Sequence, residues 1–159
     1  MSLSPVSPTP ALPASSPAPA EQLDALDHDT LDHDTLLAQL EDTTLPSFSH
    51  RDHVRAAWLY LRRKPFLQAI EDFGATLRAY AASKGADGLY HETITWAFFL
   101  LIRERLAVAE QPDDWQVFVA ENPDLLSNKP SILERYYHPE TLASPLARRI
   151  FVLPDRAVG

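Results

Sequence analysis

Three long helical patterns follow one another with almost no chain between them, and those short breaks constrain the fold more than any other feature of the sequence. The first is "SFSHRDHVRAAWLYLRRKP". Ser49 is placed to cap, Asp52 sits at the third helical position, and Val54, Ala57, Trp58 and Leu61 recur at helical spacing. Arg62, Arg63 and Lys64 suit the negative end of the helix dipole, and Pro65 stops it, which predicts a helix over 50–63. Pro65 then opens a second helix, with Phe66, Ala69, Ile70, Phe73, Leu77 and Tyr80 as its apolar stripe and Gly85 as a left-handed cap. The third helix is expected over 91–109. It is apolar from Ile94 to Ile102 apart from Thr95, so it is expected to be the central one.

Short connections make antiparallel neighbours. The starts of the first and third of these helices therefore belong at the same end of the bundle. That end carries His50 and His53 from one helix and His91 and Glu92 from the other. His50 precedes Val54 by four and Trp58 by eight, which puts it on the apolar face, and His91 lies four before Thr95. Polar groups in such a place need partners, since leaving one buried and unpaired costs about 1–3 kcal/mol.

Composition narrows the class. Only four glycines occur, at 74, 85, 88 and 159, too few for the turns of an all-β fold. The chain is expected to be an all-α single domain, bundle-like, of roughly five to seven helices. Further helices are expected near the start (from Asp34 or Thr35 to Thr44), over 114–121, and as two or three short pieces begun by Pro130, Pro139 and Pro145. The absence of cysteine removes disulfides, thiolate metal sites and cysteine nucleophiles.

The net charge of −8 is local. Eight of the 22 acidic residues lie between 21 and 42, leaving 14 acidic against 14 basic elsewhere. No basic stripe points to nucleic acid. No apolar run approaches the roughly 20 residues of a membrane span, and no export signal is evident, so a cytoplasmic protein is expected. Residues 1–20 contain six prolines and five serines. With the acidic stretch that follows, residues 1–30 are expected to form a disordered tail ahead of a helical domain over 31–156. The tandem LDHDT at 26–30 and 31–35 is too short for a solenoid unit. It reads as solvated acidic surface; the sharper alternative is loose binding of a divalent metal by His28 and His33.

The histidine cluster supports three readings. One is a site for a divalent transition metal (Zn, Fe or Mn) held by His50, His53, His91 and Glu92. His91 and Glu92 are about 100° apart on a helix, so both reach one metal only at a frayed first turn. A second is a metal-free pocket for a small-molecule anion at two helix N-termini. There His91 and Glu92 would be the catalytic acid–base pair, with Tyr60, Tyr90, Thr95 and Arg51 or Arg55 near the mouth. The third is structural: Ser49, Asp52, Glu92 and Thr93 are all good helix-start residues, and the histidines bond to loop carbonyls. A different class altogether is a non-catalytic interaction module, for which Arg103, Glu104 and Arg105 offer a solvated or partner-facing patch.

The segments "FSHRDHVRAAWLYLRR", "YHETITWAFF", "NPDLL" and "FVLPDR" resemble a family of small, uncharacterised bacterial all-helical proteins with F-x-H-x-x-H and Y-H-E-T motifs. The resemblance covers about residues 35 to 156. It implies a bacterial, soluble, single-domain protein and carries no activity with it.

Overall fold

A computed structural model describes residues 28–157. The expected disorder of residues 1–27 lies outside this range. Among the described residues there are eight α-helices and no strand: α1 (His33–Glu41), α2 (His50–Arg63), α3 (Phe66–Ser83), α4 (Glu92–Val108), α5 (Trp115–Glu121), α6 (Pro123–Leu126), α7 (Pro139–Leu142) and α8 (Pro145–Arg149). Two 3₁₀ turns, Asp87–Leu89 and Ile132–Arg135, complete the list. The last three helices are four or five residues long, and each begins with a proline at its first position. None of these helices is long and apolar enough to cross a membrane.

α2 has the bounds its sequence predicts because both ends are chemically fixed. The Ser49 hydroxyl accepts from the Asp52 N–H at 3.1 Å, and the Asp52 carboxylate accepts from the Ser49 N–H at 3.2 Å, a complete capping box. Arg62 and Arg63 occupy the last turn. In α3, Pro65 is the residue before the first helical one, a displacement by one from expectation. Gly85 takes a φ of 67°, the left-handed conformation expected of it after α3.

The central helix is α2, not α4. Eight of the fourteen residues of α2 are buried, from Asp52 almost without break to Tyr60. α4 has four buried residues in seventeen: Thr93, Ala97, Phe99 and Ile102. Ile94 and Phe98 stay half-buried because they face a cavity, described below. The apolar run at 94–102 therefore marks a cavity wall as much as a core.

The core proper gathers Trp58, Phe99, Phe118, Tyr137 and the leucines 36, 40, 45 and 59 around α2. Trp58 lies 5.4 Å from Trp115 between ring centroids and carries the Arg62 guanidinium on its face at 4.3 Å. Thr93 closes the chain's end onto α4. Its hydroxyl lies 2.7 Å from the Ala147 carbonyl and 2.8 Å from that of Ile150, and it accepts from the Val152 N–H.

His28, assigned on sequence to the tail, packs on α2; the described aspartates of the LDHDT repeat are exposed, as expected of acidic surface, but its histidines are not. The two histidines of the repeat reach one face of α2, where Asp52 and Arg55 stand one turn apart and are both buried. His28 donates from its Nδ1 to Asp52 at 2.6 Å and from its backbone N–H at 3.3 Å. Arg55 donates to the carbonyls of His28 (3.0 Å) and Leu31 (2.7 Å) and to Nδ1 of His33 (2.9 and 3.0 Å). Because that nitrogen accepts, His33 is neutral; burial and the nearby Arg55 both lower its pKa. The repeat supplies two histidines five residues apart, and α2 supplies an acid and a base to receive them.

Candidate functional site

The opposite end-face of α2 is open. The start of α2, the end of α3 and the start of α4 meet around a cavity of about 470 Å³, as their antiparallel order requires. His50, His53 and His91 all line it, with Tyr90 and Thr95. The walls are otherwise mostly apolar, built by Phe48, Val54, Ala57, Phe73, Leu77, Phe98 and Ile102. No aspartate or glutamate is among the lining residues, and the charged one is Lys84.

The three histidines are not equivalent. His91 precedes the first residue of α4 and caps it: its Nδ1 accepts from the Ile94 N–H at 3.2 Å. Its Nε2 donates to the Leu142 carbonyl at 2.7 Å, which ties α4 to α7. Both ring nitrogens are thus engaged, and the tautomer is set. His50 donates from Nε2 to the Leu125 carbonyl at 2.8 Å and meets Phe98 edge-on at 5.1 Å between ring centroids. Burial lowers its pKa, opposed by that hydrogen bond.

His53 stands apart. Its ring stacks on Phe48 with centroids 3.8 Å apart, and among the described residues its imidazole has no hydrogen-bond partner. Burial, and secondarily the neighbouring His50, push its pKa down to about 3. It is a neutral imidazole, a donor and an acceptor both unused, in an apolar chamber.

Glu92 does not face the cavity. Its carboxylate accepts from the Tyr90 hydroxyl at 2.7 Å and the Trp96 indole N–H at 2.8 Å, with Arg78 at 3.6 Å. Tyr90 is pushed up to about 12 by burial and by Glu92. Gly74 on α3 makes room, since a Cβ there would lie 3.2 Å from the Tyr90 hydroxyl. Tyr60 is also elsewhere, donating to Glu41 at 2.7 Å with Thr76 at 3.0 Å. Arg51 pairs with Asp29 at 2.8 Å, and Arg55 belongs to the other face of α2, where it is held by residues 28–33 and lines, with Asp29 and His33, a more open cavity of about 620 Å³. Arg105 is no partner-facing group: it bridges Asn122 and Asp124 at 2.7 and 2.9 Å, fixing α6 to α4.

Among the described residues no group of three or more His, Asp or Glu side chains is arranged to hold a metal ion. His91 would have to give up a capping bond or a carbonyl bond to ligate, and Glu92 would have to leave three partners. Phe48, Tyr80 and Lys84 were not foreseen as lining residues. The antiparallel order that unites the two helix starts also brings the end of α3 to the same place, so the signal for Tyr80 and Lys84 was present.

No protein-family model, curated protein or solved structure matches the chain.

Proposed function

We propose that this chain is a small-molecule-binding protein whose ligand occupies the cavity between the starts of α2 and α4 and the end of α3. One observation carries this reading. His53 presents an unpaired neutral imidazole to a largely apolar chamber of about 470 Å³, while His50 and His91, which line the same chamber, are each bonded to a carbonyl. An apolar pocket with a few convergent polar groups is the usual form of a ligand site. At about 30 Å³ per water, the space corresponds to about fifteen waters, a ligand of modest size.

Binding fits the site better than acid–base catalysis. A general base works best with a pKa near the operating pH. His53, held near 3, does not take up a proton at neutral pH, and no carboxylate lines the cavity to orient or charge it.

Decanol, a neutral apolar chain, is a suitable first probe. It should bind the wild-type protein saturably, with backbone amide shifts concentrated at α2, α3 and α4 around the cavity. Ala81→Trp, which fills the chamber from its half-buried rim, should abolish those shifts without unfolding the protein. Failure of both decanol and decanoate to bind at the cavity would remove this reading.

A further inference from the structure

Resting on the cavity's being a ligand site, we infer that its ligand is an apolar monocarboxylate, with the hydrocarbon or aromatic part inside and the carboxylate toward Lys84 and His53. Four features of the lining converge on this class. The interior walls offer Val54, Phe73 and Ile102 to an apolar body. The charged residue at the rim is a cation, in a chain whose net charge is −8, and no carboxylate lines the cavity to repel an anion. Among the described residues Lys84 has no ion-pair partner. Its ammonium lies 5.3 Å from the centre of the Tyr80 ring.

The polar elements also share one wall. Tyr80 packs against Phe48 at 5.5 Å, and Phe48 against His53 at 3.8 Å, so the ammonium and the unpaired imidazole flank one continuous aromatic surface. The Tyr80 hydroxyl already donates to the Leu45 carbonyl at 2.8 Å, so on this aromatic wall the donors left for a head group are His53 and Lys84. The first turns of α2 and α4 point positive dipole ends to the region and the end of α3 a negative one, so the charge that favours an anion there is the ammonium of Lys84, at the C-cap of α3. An anion there would be held by charge-assisted bonds, roughly twice as strong as neutral ones. A phosphorylated or sugar-like ligand fits poorly, because the interior has too few polar groups to pair with it.

The test compares decanoate with decanol, of nearly equal length and apolar area, on the full-length protein by titration calorimetry and amide shifts. Decanoate should bind about tenfold tighter. Lys84→Gln, a change at an exposed side chain, should reduce that preference to within about twofold while leaving decanol affinity unchanged, and Lys84→Arg should restore it. Raising the salt concentration should weaken decanoate alone. Decanol binding as tightly as decanoate in the wild type, with both lost in Ala81→Trp, overturns the carboxylate inference and leaves the ligand site standing. Binding of neither probe overturns both. A decanoate preference that survives Lys84→Gln also overturns the assignment of Lys84 as the anion's partner.

Discussion

The two faces of α2 solve the same problem in opposite ways. Each carries ionisable or polar side chains one turn apart at the N-terminal end of a buried helix: Asp52 and Arg55 on one side, His50 and His53 on the other. On the first side the chain folds its own segment, residues 28–33, onto the helix, and every charge meets an opposite charge, a carbonyl or an imidazole. On the second side the chain pairs His50 with a carbonyl and leaves His53 facing a largely apolar cavity. Burial is costly for both sets of groups. The difference between the two sets is what the proposed ligand site rests on.

The contrast is sharpest in stability. Arg55→Leu leaves the carbonyls of His28 and Leu31 and Nδ1 of His33 without their donor, so a loss of about 2–5 kcal/mol is expected in urea unfolding. A loss under about 1 kcal/mol would show that these bonds do not hold residues 28–33 to α2. His28→Ala removes one strong donor to Asp52 and should cost about 1–3 kcal/mol, a value a merely solvated repeat would not produce. Glu92→Gln weakens the clasp to Tyr90, Trp96 and Arg78. It should cost about 1 kcal/mol and leave decanoate affinity unchanged, since Glu92 does not reach the cavity. A large loss of ligand affinity in that variant would return Glu92 to the site.

His53→Leu is expected to have the smallest effect at neutral pH, within about 1 kcal/mol and of either sign, because no hydrogen bond to a described residue is broken. Its signature lies in pH dependence. The folded protein holds His53 near 3 against an ordinary value of 6.5, so the unfolded chain binds more protons between those limits. His53's contribution is therefore fully present above about 6.5 and is lost as pH falls toward 3. His33 and His50, also lowered by burial, act in the same direction. Thermal unfolding followed from pH 7 to 4 should decline less steeply in His53→Leu than in the wild type. Parallel declines would remove His53 from the buried set.

Much of this architecture was legible in the residues, and the gaps have physical causes. The bounds of α2 followed from Ser49, Asp52 and Pro65, because caps and breakers are local. The meeting of His50, His53 and His91 followed from loop lengths alone. The choice of α4 as central helix failed because an apolar side chain facing a cavity and one facing a core look the same in sequence. The contacts of His28 and His33 were not legible because their partners lie about 20 residues away, and a histidine among aspartates gives no sign of which it will choose. Glu92 was placed with the pocket on its position in the first turn, but the hydroxyl of Tyr90 and the indole of Trp96 draw it to a different side of α4.

The direct measurement is the titration of the His53 ring, followed by ¹⁵N or ¹³C NMR of imidazole-labelled protein from pH 8 downward. The half-buried, unpaired imidazole should remain neutral through pH 5 and begin to charge only as the pH approaches 3. A His53 that titrates near 6.5 would be a solvated side chain, and the observation that carries the proposed ligand site would fail.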